Sequence, residues 1–160
     1  MTNNFEKIKF EIWLGCEFWD QPPVIEILID NELKFSNEMK LPEICKIEFF
    51  QNLAFDQPHL LEIKRSGKSD SQCLVSENKI LKDQVAWIEK IVIDGVDVQN
   101  LIWSQSWFVP DYPEPWAAEQ KRAGVELEEK VISGTIWGHN GIWSLGFTSP
   151  FYKFLFDCMN

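Results

Sequence analysis

The chain has 160 residues, 45% of them hydrophobic and 25% charged, which is enough apolar material for one compact core and excludes a disordered or low-complexity polymer. Twenty-five acidic residues against 15 basic ones give a formal charge of -10, a field that repels phosphate backbones and anionic headgroups and argues against nucleic-acid or membrane partners. Four scattered cysteines and two histidines, with no CxxC pair, lack the spacing of a zinc site and read as thiols in a reducing cytoplasm. No apolar run approaches the roughly 20 residues that span a bilayer, and the start at Met1 lacks the basic and apolar regions of a signal peptide.

In chain order, Ile8, Phe10 and Ile12 alternate with Lys7, Lys9 and Glu11, the period of a half-buried strand. Gly15 to Pro23 carries turn formers and two prolines, so a loop is expected before the β-branched run Val24–Ile29. Asp30-Asn31 can turn the chain. Lys46–Phe50 and His59–Lys64 repeat the alternation on either side of a loop at Asp56–Pro58, and Ser66–Ser71 reads as a loop tip. Gln84–Ile93 is again strand-like, with an irregularity at Ile88–Lys90 that suits a bulge. Asp94-Gly95 is a tight-turn dipeptide.

Leu101–Trp103 shows no helical periodicity. Pro110, Pro113 and Pro115 oppose regular hydrogen bonding, and this stretch is expected to be unable to form a central strand. Ala117–Ala123 predicts one short helix ending at Gly124. Val131–Trp137 and Gly141–Thr148 flank Gly138–Gly141, whose Asn140-Gly141 pair predicts a hairpin. The aromatic segment Pro150–Phe156 must dock on the body. About eight short strands imply an all-β fold, an antiparallel β-sandwich of jelly-roll type with at most one short helix, forming a single domain over residues 1–160.

There is no GxSxG, HExxH, Walker loop or dinucleotide fingerprint, so a binding or assembly role is expected rather than catalysis. His59 and His139 read as turn and strand-start hydrogen bonders. The eight tryptophans are the unusual feature: Trp103, Trp107 and Trp116 crowd a proline-rich stretch with Phe108 and Tyr112, which together form the candidate binding surface, against the alternative that they fill the core. Asp83, Asp94, Asp97 and Asp111 supply hard oxygens near loops, without EF-hand spacing. Asp94 and Asp97 are the candidate calcium ligands, with a solvated loop edge as the alternative.

The segments His59–Lys64, Lys82–Asp97, Phe108–Trp116 and Gly134–Trp143 together resemble small virion proteins of tailed bacteriophages, over roughly residues 5–156. The strand pattern H-x-L-x-I followed by D-x-x-x-x-I-x-x-I-x-I-D-G also resembles calcium-dependent xylan-binding carbohydrate modules, over about residues 24–98. The first resemblance implies a virion structural protein, a capsid decoration, tail or fibre component that assembles with other virion proteins or as a homo-oligomer and is made in a host cytoplasm. The second implies an adhesive module that binds a bacterial surface glycan with calcium.

Overall fold

The computed structural model describes residues 4–40, 42–69 and 72–159. Its strands are β1 (Phe5–Glu17), β2 (Val24–Ile29), β3 (Glu32–Glu38), β4 (Cys45–Ala54), β5 (Pro58–Ser66), β6 (Leu74–Ser76), β7 (Lys79–Lys82), β8 (Val85–Ile93), β9 (Val96–Asp97), β10 (Ser106–Asp111), β11 (Val131–Ile132), β12 (Ile136–Trp137) and β13 (Asn140–Thr148). Three helices accompany them: α1 (Gln99–Gln105), α2 (Trp116–Arg122) and α3 (Phe151–Cys158).

Two antiparallel sheets face one another. One runs β12-β8-β1-β4, with β9 paired to β8; the other runs β11-β10-β13-β5-β2-β3; β6 and β7 form a separate hairpin. The alternation in the sequence explains the layering, because period-2 side chains point to opposite faces. Ile8, Phe10, Ile12 and Leu14 of β1 are buried, as are Ile25, Ile27 and Ile29 of β2 and Leu61 and Ile63 of β5. Each such side chain contributes about 1.5–3 kcal/mol relative to leaving it in water. Phe10 of one sheet meets Phe147 of the other with ring centroids 6.2 Å apart, so the core lies between the layers.

The turns follow their local chemistry. Asp30 and Asn31 (φ 49° and 66°) and Asp94 and Gly95 (φ 48° and 84°) place both central residues in the left-handed region that two-residue hairpins need. The expected irregularity in β8 is a bulge: Trp13 pairs with Lys90 and Leu14 with Ile88, leaving Glu89 extra. The helix at Trp116–Arg122 matches the expected one within a residue, with Gly124 at φ 82°. The terminal segment docks as α3 through the fully buried Phe151.

Six local expectations need correction. The strand β1 continues through Gly15–Glu17, where a loop was expected, because the Trp87 indole lies across Gly15; a Cβ there would come within 2.3 Å of it. Leu101–Trp103 lies in a helix, α1. It starts where the Asp97 carboxylate accepts the Gln99 N–H at 3.0 Å and it buries Leu101 and Ile102. With α1 and α3 the chain has three short helices among its described residues, not at most one, and 13 strands where about eight were expected.

The proline-rich stretch does contain an interior strand. β10 lies between β11 and β13, and Pro110 is tolerated because β11 pairs only with Trp107 and Phe108, leaving no ladder on that side of Pro110. Nor is Asn140-Gly141 a hairpin turn: β12 pairs with β8 in one sheet and β13 with β10 and β5 in the other, so the chain crosses between layers there. The expected Ser66–Ser71 loop tip begins where β5 ends at Ser66; Asp70 and Ser71 lie outside the described residues, as do Met1–Asn3, on which the reading of the chain start partly rests.

Candidate functional site

The crossover at residue 138–140 is held by a polar network. Arg65, at the end of β5 and fully buried, donates from Nη1 to Asn140 Oδ1 at 2.7 Å and from Nη2 to the Gln84 carbonyl at 2.6 Å. Asn140 Oδ1 also accepts the Lys68 backbone N–H at 3.1 Å, and its Nδ2 donates back to the Lys68 carbonyl at 3.0 Å. The Asn140 amide is therefore consumed in joining β13 to the loop after β5. Burial pushes the Arg65 pKa down to about 10, against a smaller upward pull from Asp83. The Lys68 ammonium is likewise tied down, donating to Asp83 Oδ1 and to the Gly138 carbonyl at 2.5 Å each.

Above this network opens a pocket of about 600 Å³, within the size range of small-molecule sites. Its apolar wall comes from Val75 and Ile80 of the β6–β7 hairpin and from Pro113, Pro115 and Trp116 at the start of α2; its carboxylates are Asp83, Asp111 and Glu119. An aromatic corner backs the wall. The Trp116 and His139 rings lie 5.2 Å apart, and Tyr112 sits edge-on to His139 at 5.0 Å and 6.0 Å from Trp116. The Tyr112 hydroxyl donates to the Glu128 carbonyl at 2.7 Å, and burial raises its pKa. The His139 pKa is lowered, first by burial and then by the nearby Lys68 and Arg65 charges. Cys73, a half-buried thiol on the pocket wall, has its pKa raised by burial and by Asp83.

The five aromatic residues chosen from the sequence do not share one surface. Trp116 lines the pocket and Tyr112 supports it. Phe108 is 4% exposed and stacks on the buried Trp137 at 5.8 Å, inside the core. Trp107 is half-buried in β10 with the Lys130 ammonium 4.8 Å over its ring. Trp103 stands on α1, 66% exposed. Of the eight tryptophans, Trp137 and Trp143 fill the core completely. His59 acts as the sequence suggested, at a strand start: its ring nitrogens lie 2.6 Å from Asp30 Oδ2 and 2.8 Å from the Ala54 carbonyl.

Asp94 and Asp97 flank the β8–β9 turn, and Asp97 is engaged by the Gln99 N–H. Among the described residues no three Asp, Glu, His or Cys side chains converge as a metal cage. Residues 94 and 97 supply two carboxylates toward the six to eight oxygens that calcium takes. Sequence reading missed Lys68, Glu119 and the part played by Asn140, since each acquires its meaning from strands far apart in the chain.

No protein-family model and no curated protein matches the chain. Among solved structures, it is similar to the selenomethionine form of vCBM60, described with two families of calcium-dependent carbohydrate binding modules linked by circular permutation. The identity is 8%, 87% of this chain and 90% of that one are covered, and the TM-score is 0.53. It is also similar to vCBM60 in complex with galactobiose, at 9% identity, 86% and 97% coverage and a TM-score of 0.49. The first likeness shows the fold, an antiparallel β-sandwich of the kind used by carbohydrate-binding modules.

Proposed function

We propose that this chain is a glycan-binding module that holds a sugar against Trp116, without chemistry of its own. The observation that carries this reading is the pocket itself, where an indole flanked by Tyr112 and His139 stands beside carboxylates and a fixed ammonium. An aromatic face takes the C–H side of a sugar ring, while carboxylates and Lys68 suit its hydroxyls. The fold shared with vCBM60, a carbohydrate-binding module, is consistent with this assignment.

A glycan array probed with the purified chain tests the proposal, run in parallel with calcium and with a chelator. Saturable binding that Trp116→Ala abolishes supports it, and loss of that binding in chelator would bring calcium into the site. Absence of binding to any glycan at millimolar concentration in calcium refutes it.

A second reading, assembly with itself or with other virion proteins, is favoured by a different surface. Trp103, Ile132 and Ile136 are 66%, 64% and 73% exposed, and the Ser133 hydroxyl bonds the Trp103 carbonyl, holding the residue 131–136 segment against α1. Interfaces concentrate such aromatic and aliphatic side chains. Mass spectrometry of purified particles tests this reading, and absence of the chain from them refutes it.

A further inference from the structure

The glycan reading leaves open which sugars fit, and the charges around the pocket narrow the choice. Three carboxylates line it, Asp83, Asp111 and Glu119, against a single lining ammonium, Lys68. Lys68 is already held by Asp83 and by the Gly138 carbonyl, so its charge is neutralised at close range. Asp111 and Glu119 form no ion pair among the described residues. His139 adds little positive charge, since burial and the neighbouring cations favour its neutral form. Arg65, buried beneath the pocket, adds a second positive charge that reaches His139, so three carboxylates stand against two cations and a ligand in this cavity meets a net negative field, on a protein whose formal charge is -10.

A bare metal ion does not use these features well. Among the described residues the carboxylates do not converge in a group of three, and the indole wall gives a hard cation no ligand. An organic ammonium uses both, because it is attracted to the face of an indole and to carboxylates at once.

We infer that the pocket selects a glycan bearing a free amine, and disfavours sugars that carry a carboxylate or a sulfate. The inference rests on the pocket being the glycan site. Trp116 takes the apolar face of the ring, and Asp111 and Glu119 at the rim take the ammonium.

The test is calorimetry of the full chain, with calcium present and below the amine's pKa, against matched oligomers of glucosamine, N-acetylglucosamine and galacturonate, alongside a glycan array. The glucosamine oligomer is expected to bind about tenfold more tightly than the acetylated one, two partly screened carboxylate contacts being enough for that ratio. Raising the salt should shrink the advantage, and the galacturonate oligomer should bind weakest. The double variant Asp111→Asn/Glu119→Gln, checked for an unchanged melting temperature, should lose the preference while still binding the neutral oligomer. If the acetylated or acidic oligomer binds as tightly as the amine, if the double variant keeps the preference, or if the array's best ligand is neutral or acidic, the inference is overturned and the glycan reading stands. If no glycan on the array binds, both fall together.

Discussion

Trp116 and His139 lie ring to ring at 5.2 Å, one at the start of α2 and the other at the crossover between the two sheets. The contact joins a segment some twenty residues away in sequence to the point where the chain changes layers, so the pocket wall is built by the crossover as much as by the helix. The half-buried position of Trp116 decides what its removal does.

Trp116→Ala should lower stability by about 1–2 kcal/mol, well under the ~3–5 kcal/mol of emptying a fully buried tryptophan site, and should abolish glycan binding. Trp107→Ala, in β10 beneath Lys130 and away from the pocket lining, should leave glycan affinity unchanged. Urea melts paired with a binding assay separate the two. Equal loss of binding in both variants would place the site elsewhere.

Arg65 is a fully buried cation whose hydrogen bonds run to an amide and a carbonyl, and its Nε has no hydrogen-bond partner among the described residues. Arg65→Ala opens a cavity and strips Asn140 and Gln84 of donors, and a loss of about 3 kcal/mol or more is expected. Arg65→Met refills the volume and removes a costly buried charge, so it should be the less destabilising of the two. Denaturant midpoints order the variants, and a methionine variant weaker than the alanine one would contradict this account of the network.

His139 links pH to stability with a definite sign. Its folded pKa is lowered from the ordinary 6.5, so between that value and the lower folded pKa the unfolded chain binds more protons. Stability should therefore fall as the pH drops below about 6.5 and level off once the folded pKa is passed. His139→Asn should flatten that slope. Melting temperatures of the two proteins across the acid range provide the comparison, and parallel curves would refute it.

Gly141 is required by close approach. A Cβ there would lie 2.4 Å from the Val109 carbonyl oxygen and 2.5 Å from Phe108 Cζ, whereas at Gly146 of the same strand nothing lies within 4 Å. Gly141→Ala should cost about 1–3 kcal/mol or more, and Gly146→Ala should stay within about 0.5 kcal/mol of the parent. A thermal melt of each decides.

Much of the sandwich was legible from period-2 alternation in β1, β4, β5 and β8, and β2 from its β-branched run, because such patterns need no partner to be read. The Asp30-Asn31 and Asp94-Gly95 turns were legible for the same reason, their backbone requirements being local. Asn140-Gly141 misled because an Asn-Gly pair signals a hairpin only if the backbone there takes positive φ. Here the Asn140 side chain serves Arg65 and Lys68, and the residue opens a strand. Trp116 and Tyr112 could be selected from the sequence, but what sets them apart from Phe108 and Trp103 is where β10, α1 and α2 fall in the assembled layers. Lys68 and Glu119 carried no local signal at all, and Asp83 showed only as a loop carboxylate, since the pocket exists only once β5, β13 and the β6–β7 hairpin are brought together.

The measurement that bears most directly on the central claim is calorimetric titration of the chain and of Trp116→Ala with the best ligand from the glycan array. The account predicts saturable one-site binding by the parent, no detectable heat from the variant at the same concentrations, and melting curves showing both proteins folded. Undiminished binding by a folded Trp116→Ala would contradict it.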